Sequence, residues 1–451
     1  QPDLVEAHNN LGSALKALGK PEEAAASYQK ALVINPNYAD AHNNLGSVLK
    51  ALGKPEEAAA SYQKALAIKP DLVEAHYNLG NALKELGRLE EAVASYQTAL
   101  DLKPDYVDTH NNLGLALQDL GKLEDALASY HKALGIKPDY AEAHNNLGNA
   151  FLDLGKLDEA VASYKKSLSL KPNFAQAHNN LGLAFGQLDR LTEAINYHRR
   201  AIHLEPQNES FFVCYAESLK TVSFTSVGDS DTLYQDLLQL LERPTIQPSY
   251  ISQAILSALR HHPDFLSILE ATGSCNRDTE FAYADIEELL SAIPLFLRLL
   301  ELTPIFDVEV ERMLTVLRRT MLRETTKGET NGKGMPFSAA LALNCFTNEY
   351  VFAETKEEKE AVEKLEQQIA AFMETGQDVP SSFIVTLGAY RPLFQFPWAQ
   401  ELGKREWENN LTDVIKRQIS ERQNLSQKNK RKRKIPRIVM RKRTKIMKLR
   451  L

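Results

Sequence analysis

The sequence predicts an all-α protein in which a stack of helix hairpins is followed by a separate helical domain. Prolines recur every 34 residues from Pro2 to Pro206, and a histidine and a glycine keep the same step from His8 and Gly12 through six copies. Within each copy the apolar residues follow helical spacing. A repeat of this length is typical of an α-solenoid, in which each copy buries its apolar face against its neighbours.

The first copy shows how one hairpin is built. An apolar stripe marks its first helix: Ala7, Leu11, Ala14, Leu15 and Leu18. Gly19 favours the end of that helix. The second helix is predicted to begin at Pro21. Proline lacks an amide hydrogen, and in the first turn of a helix that hydrogen has no acceptor within the helix. Pro36 ends it, since the residue before a proline avoids helical geometry. The small residues Gly12 and Ala24 would let the two helices cross closely.

These residues resemble the tetratricopeptide repeat (TPR) over residues 1–206. The resemblance rests on Leu11, Gly12, Leu15, Ala24, Tyr28, Ala31 and Pro36. It implies a right-handed solenoid of six hairpins, which a helix over 208–220 would cap. Where the family commonly has tryptophan, this chain has His8 and its five equivalents. The phrase Ala-His-Asn-Asn-Leu-Gly is similar to the repeats that precede the catalytic region of O-linked N-acetylglucosamine transferases, and to many bacterial repeat proteins.

Three regions are therefore expected. Residues 1–220 form the TPR superhelix, 221–427 an α-helical domain, and 428–451 a disordered basic tail. Helical stretches are predicted in the middle region over 231–242, 248–260, 285–302, 307–323, 337–353, 356–375 and 406–420. Only Phe383–Leu387 has the pattern of a strand.

The first helices carry two asparagine-rich positions, and the resemblance places these helices on the inner groove of the solenoid. The outer row is Asn10, Asn44, Asn78, Asn112, Asn146 and Asn180. The inner row is Asn9, Asn43, Tyr77, Asn111, Asn145 and Asn179. An asparagine side chain both donates and accepts, so a row of them could bind an extended peptide backbone, a function implied for the resembled transferases. The alternative is that the asparagines only cap or bridge adjacent helices.

Other residues of the groove indicate which peptides it could bind. The TPR proteins that grip chaperone tails use lysine and arginine here, whereas this chain has asparagine or an acid: Glu6, Asp40, Glu74, Asp108 and Glu142. The acidic row favours peptides that carry some positive charge. The six histidines are expected to pack in place of tryptophan rather than to bind metal or sense pH, because successive copies lie too far apart to share an ion.

The middle region carries a second resemblance. The segments Ala340–Phe352 and Leu387–Leu393 are similar to the helical region that lies between the repeats and the catalytic domain of bacterial TPR-linked methyltransferases using S-adenosylmethionine. The resemblance covers about residues 210–427. Because the chain contains no GxGxxG turn, no cofactor and no enzymatic activity are predicted for it.

The remaining candidate sites are weak. The loop Lys327–Gly334 lacks the glycine spacing of a phosphate-binding loop. His261 and His262 suit a helix end, and Cys345 lies on an apolar stripe, as a core residue would. The three cysteines have no metal-ligand spacing, and no stretch of 18 uncharged apolar residues predicts a membrane span. We therefore expect a cytoplasmic protein without metal.

The basic end is open to two interpretations. Residues 428–451 contain 13 Lys and Arg and no acid, which would suit weak, sequence-independent contact with nucleic acid. However, 20 of these 24 residues can be encoded by triplets that begin with adenine. The run is therefore also explained by a frame slip that replaces the natural continuation.

The function predicted from the sequence is a scaffold or targeting module that binds extended peptide segments in the groove. One alternative is the targeting half of a TPR-linked methyltransferase whose catalytic domain is missing here. Another is a nucleic-acid adaptor that uses the basic tail.

Overall fold

The computed structural model describes residues 2–224, 230–273, 283–328, 335–348, 354–405, 407 and 409–420. In these residues the secondary structure consists of helices without a strand. The chain divides into two compact units, residues 1–215 and 216–451. The predicted all-α class is confirmed. In the described part of the chain, no helix has the length and apolar character to cross a membrane.

The first unit is a solenoid of six helix hairpins that we call copies one to six. The first helices are Pro2–Ala17, Ala39–Ala51, Val73–Glu85, Val107–Asp119, Ala141–Asp153 and Ala175–Gln187. The second helices are Pro21–Ile34, Pro55–Ile68, Leu89–Leu102, Leu123–Ile136, Leu157–Leu170 and Leu191–Leu204. A further helix, Glu209–Leu219, occupies the segment where a capping helix is predicted. The 34-residue period of the sequence is thus the period of the fold.

A glycine and a tyrosine hold the two helices of a hairpin together. Tyr28 is 1 % exposed, and its ring lies against Gly12 of the same copy. A Cβ atom on Gly12 would lie 2.6 Å from the Cε1 atom of this ring. The contact recurs in copies two to five between Gly46 and Tyr62, Gly80 and Tyr96, Gly114 and Tyr130, and Gly148 and Tyr164. Because a side chain at the glycine would collide with the ring, the close crossing predicted from the small residues requires glycine.

A second glycine ends the first helix in copies one to five. Gly19 has a φ of 72°, and its equivalents in copies two to five have values from 71° to 74°. This left-handed conformation costs glycine little, whereas other residues are strained in it. In copy six the position is taken by Asp189, with a φ of 58°.

The repeated histidines join one copy to the previous one. The Nε2 atom of His42 lies 2.9 Å from the carbonyl oxygen of Pro36, the residue that follows the preceding hairpin. His76, His110, His144 and His178 contact the equivalent prolines at 2.8–2.9 Å. A carbonyl oxygen only accepts, so Nε2 must carry the proton. These contacts give the five histidines a structural function.

The second unit is helical throughout its described residues. Its α-helices are Ser230–Leu241, Pro248–Leu259, Pro263–Gly273, Tyr283–Ser291, Pro294–Leu302, Val308–Lys327, Pro336–Thr347, Lys356–Thr375, Ser381–Tyr390, Ala399–Leu402 and Asn409–Ser420, and Leu393–Gln395 forms a short 3-10 helix. The strand predicted over Phe383–Leu387 is wrong, because these residues lie within a buried helix whose apolar residues face neighbours on all sides. The helix predicted over 285–302 is broken in two at Pro294, which begins a new helix.

Buried polar side chains connect the helices of the second unit. The amide of Gln418 donates to the backbone oxygens of Ala342 and Gly388 at 3.2 and 3.1 Å. Ala342 and Gly388 belong to the segments Ala340–Phe352 and Leu387–Leu393, which carry the second sequence resemblance, so Gln418 connects the two segments. Residues 349–352 of the first segment lie outside the described residues. The carboxylate of Glu287 accepts from the backbone amides of Phe337 and Ser338, at the start of the helix Pro336–Thr347. These groups stabilise helix ends and helix contacts.

Candidate functional site

The outer row donates hydrogen bonds from each copy to the one before it. The Nδ2 atom of Asn44 lies 3.0 Å from Oδ1 of Asn9, and the bond recurs from Asn78 to Asn43, from Asn146 to Asn111 and from Asn180 to Asn145 at 3.0–3.2 Å. In copy four, Asn112 donates to the hydroxyl of Tyr77 at 3.2 Å. The two predicted rows thus form one continuous ladder across the first helices.

Burial separates the two rows. In the inner row, Asn9, Asn111, Asn145 and Asn179 are 4–8 % exposed. In the outer row, Asn44, Asn78, Asn112 and Asn146 are half-buried, Asn10 is exposed, and Asn180 is 6 % exposed. The inner row is therefore mainly a set of internal acceptors, which corresponds to the bridging alternative. Over copies two to five, the outer row bridges the helices and also faces solvent.

One turn further along the first helices of copies three and five lie two more asparagines, which sequence reasoning missed. Asn81 accepts from the Tyr96 hydroxyl at 2.7 Å and from Asn112 at 2.9 Å. Asn149 accepts from the Tyr164 hydroxyl at 2.8 Å and from Asn180 at 2.9 Å. The signal was available, because these residues stand three positions after the outer row, on the same helix face. They fix the tyrosine that closes the hairpin and the ladder that joins the copies.

Charged side chains continue along the same face. Lys16 donates to the hydroxyl of Ser47 at 2.7 Å, and Gln118 donates to Asp153 at 2.6 Å. Each of these bonds also joins neighbouring copies. The position of Lys16 is held by lysine in copies one to three and by Gln118, Leu152 and Gly186 in copies four to six.

At the amino-terminal ends of the first helices, tyrosines lie beside the acidic row. Tyr140 donates to Asp108 at 3.2 Å. The rings of Tyr77 and Tyr106 have centroids 5.1 Å apart. Burial raises the pKa of Tyr106, and the nearby Tyr77, Asp108 and Glu74 raise it further. Burial and Asp108 likewise raise the pKa of Tyr140 to about 12. Both hydroxyls therefore stay protonated at neutral pH, and that of Tyr140 donates to Asp108.

Copy six departs from the pattern at its centre. His198 stands where the other copies have the buried tyrosine, and its Nδ1 atom lies 3.1 Å from Oδ1 of Asn179. Among the described residues, its buried Nε2 atom has no hydrogen-bond partner. Burial lowers the pKa of His198 to about 4. The imidazole is therefore neutral at physiological pH.

The other sequence candidates lie away from this face or outside the described residues. Cys345 is fully buried, and burial raises the pKa of its thiol to about 12, as expected for a core cysteine. His261 contacts the backbone oxygen of Phe224. Most of the loop Lys327–Gly334, all of 428–451 and Cys275 lie outside the described residues. No group of three potential metal ligands occurs in the residues that the structure describes.

Comparison with known proteins identifies the repeats. The sequence profile of the TPR repeat matches residues 12–53, 46–87, 80–121, 117–155 and 148–189, and a second tetratricopeptide-repeat profile matches 175–208. Residues 12–208 are therefore tetratricopeptide repeats. A comparison with curated proteins finds no match.

Solved structures also match a part of the chain. A crystal structure of MamA is 30 % identical, covers 37 % of this chain and 96 % of its own, and has a TM-score of 0.35. YrrB, a TPR protein with an unusual peptide-binding site, is 25 % identical and covers 42 % of this chain and 97 % of its own, with a TM-score of 0.36. A thermophilic TPR protein of Thermus thermophilus is 28 % identical over 40 % of this chain and 98 % of its own, with a TM-score of 0.35.

Proposed function

Given that residues 12–208 are tetratricopeptide repeats, we propose that this chain is a protein-interaction module that binds an extended peptide segment along the outer asparagine row. One observation carries the proposal. The outer-row amides recur once per copy, and over copies two to five they are partly exposed while their positions are fixed by the bond to the preceding copy. A fixed amide loses little conformational freedom when it binds.

The chemistry of the row suits a peptide backbone. An amide has two N–H donors and an oxygen with two lone pairs. The ladder bond uses one donor of Asn44, Asn78 and Asn146, whereas Asn112 donates to both Tyr77 and Asn81. The second donor of the first three and the amide oxygens along the row match the alternating acceptors and donors of an extended chain. Neighbouring helices lie about 8–10 Å apart, and an extended chain advances about 3.3 Å per residue. About three ligand residues would therefore correspond to one copy.

The acidic residues beside the row indicate the charge of the ligand. Glu6, Asp40, Glu74 and Asp108 are exposed beside the row, so a segment with some positive charge is favoured. We propose a scaffold or targeting function without catalysis by this chain, in a reducing compartment such as the cytoplasm.

The methyltransferase alternative remains a hypothesis from the sequence of residues 210–427, because the family profiles end at residue 208. The nucleic-acid alternative rests on residues 428–451, which lie outside the described residues. Neither has an observation in its favour beyond its sequence pattern.

The ladder provides a test with a matched control. A twelve-residue peptide is selected from a random phage-displayed library on the full chain, and its affinity is measured by fluorescence anisotropy. The triple variant Asn78→Ala, Asn112→Ala, Asn146→Ala removes three outer-row amides. At about 1 kcal/mol for each amide, we expect affinity to fall at least tenfold. The control variant Asn43→Ala, Asn111→Ala, Asn145→Ala removes the inner-row acceptors of three ladder bonds and should lose less than threefold.

Helicity, measured by circular dichroism, must be the same in both triple variants for the comparison to hold. Equal losses of affinity in the two variants would mean that the row serves the fold and not a ligand. Failure of the full chain to enrich any peptide would reject the proposal outright.

A further inference from the structure

We infer that the asparagine ladder is flanked by one specialised position, a subsite for an arginine or lysine side chain formed by Tyr77 of the inner row with Tyr106, Glu74 and Asp108. The inference rests on the proposed peptide function and adds a sequence preference at one place in the groove. We call these four residues the tyrosine–carboxylate patch.

The patch exists because one copy departs from the inner row. Copy three has Tyr77 where the other copies have asparagine. The ring is partly exposed, and its hydroxyl is held by Asn112. Its centroid lies 5.1 Å from that of Tyr106 and 6.2 Å from that of Tyr96. The result is an aromatic surface beside the ladder, fixed in position by neighbours on two sides.

Two carboxylates next to these rings have no ion-pair partner among the described residues. Glu74 and Asp108 are exposed, and within the described residues neither takes part in an ion pair. The equivalent acid of copy five, Glu142, is bound by Lys171 at 2.8 Å. Acids at the first turn of a helix are partly explained by the helix dipole, which accounts for the row as a whole. The dipole does not account for a half-buried tyrosine pair beside two acids without an ion-pair partner.

The chain itself shows what such rings bind. Lys103 lies over the ring of Tyr106, with Nζ 5.0 Å from the centroid, and Lys137 lies over Tyr140 at the same distance. In the described part of the chain no cation lies over Tyr77. An aromatic face and carboxylates together favour a cationic group, and arginine suits them because its planar guanidinium can stack on a ring while it donates to an acid. Charge complementarity therefore selects a basic ligand residue at copies three and four.

The probes are fluorescein-labelled peptides of twelve residues built from glycine and serine. They are identical except for two central residues, which are arginine, lysine, glutamine or glutamate. Binding to the full chain is measured by fluorescence anisotropy at low salt, where charge contacts are least screened. A cation–π contact predicts that the arginine peptide binds about 3- to 30-fold more tightly than the glutamine peptide.

Tyr77→Asn is the decisive variant, because asparagine is what the inner row carries elsewhere and it can still accept from Asn112. We expect the preference for arginine over glutamine to disappear while binding of the glutamine peptide stays the same. Asp108→Asn can still accept from Tyr140 and leaves the Tyr77 ring unchanged. It should weaken the preference for arginine over glutamine, because it removes one of the two carboxylates. The charge control is Glu90→Gln, which removes an exposed acid from the second helix of the same copy and should leave the preference intact.

The outcomes distinguish the general peptide-binding groove from the subsite for a basic side chain. If the peptides bind but wild type does not prefer arginine, or if Tyr77→Asn keeps the preference at unchanged helicity, the subsite is rejected and the general groove stands. If Tyr77→Asn does not fold, a full arginine preference in Asp108→Asn rejects the subsite instead. If none of the peptides binds and the library selection also fails, both the groove and the subsite are rejected.

Discussion

Copies one to five and copy six use the same helix pair but fill the space between the helices differently. In the first five, a buried tyrosine lies against glycine, and its hydroxyl has a partner on the first helix wherever the structure shows one: Ser13, Asn81, Gln118 or Asn149. In copy six the matching positions hold Leu183 and Gly186, which offer no side-chain acceptor, and the ring is His198. The histidine turns to Asn179 instead.

The difference teaches that the conserved element of the repeat is a ring against a glycine, while the polar partner varies. Gly182 would place a Cβ atom 2.7 Å from the His198 ring, much as Gly148 would against Tyr164. Copy six therefore keeps the close contact between a ring and a glycine, but the ring is an imidazole instead of a phenol. A neutral, incompletely bonded imidazole makes copy six sensitive to acid.

The largest expected effect is therefore on pH dependence. The folded pKa of His198 is about 4, below its unfolded value of 6.5, so the unfolded state binds more protons between these values. The stabilisation is complete above pH 6.5 and is lost as the pH falls towards 4, by roughly 3 kcal/mol in total. Hydrogen exchange of residues 191–204, corrected for intrinsic rates, should show this loss of protection in wild type. It should be largely absent in His198→Phe.

The mirror variant sharpens the comparison. Tyr164→His places an imidazole in copy five and should give residues 157–170 the same acid sensitivity. If His198→Phe is as acid-sensitive as wild type over residues 191–204, the effect belongs to another group, such as His178, whose pKa burial also lowers.

The next effect concerns the glycine that both types of copy share. Gly148→Ala would place a methyl group 2.6 Å from a carbon atom of the Tyr164 ring, and overpacking of this kind costs about 1–3 kcal/mol. The control is Gly135→Ala, where nothing lies within 4 Å and alanine should stabilise the helix by about 0.5–1 kcal/mol. Urea denaturation followed by circular dichroism measures both variants. A stability of Gly148→Ala equal to that of wild type would contradict the close crossing.

The smallest effect is at the end of the first helix. Asp189 has a positive φ where copies one to five have glycine, and relief of that strain in Asp189→Gly should stabilise copy six by about 1 kcal/mol. The reciprocal variant Gly155→Asp should destabilise copy five by a similar amount. Protection of residues 175–187 and 141–153 from hydrogen exchange reports the two changes. Protection is expected to rise in Asp189→Gly and to fall in Gly155→Asp. A change in the same direction in both variants would show that backbone strain is not the cause.

The periodic features were predictable because local rules repeat. Proline, glycine and apolar spacing gave both helices of every copy, and the same rules located most helices of the second unit. They failed at Phe383–Leu387, because a short apolar run fits a strand and a fully buried helix equally well. Only burial on all sides, seen in the fold, distinguishes the two.

The asparagine rows show the same limit at the candidate site. The sequence by itself determined which residues recur, at what spacing and on which helix face, because helical periodicity fixes these. The tertiary structure alone decided that Asn111 and Asn145 are buried acceptors, that Asn112 and Asn146 are partly exposed donors, and that Tyr77 meets Tyr106. These facts depend on how one copy packs against the next, and contacts between residues about 35 positions apart leave no signature in the spacing within a single helix.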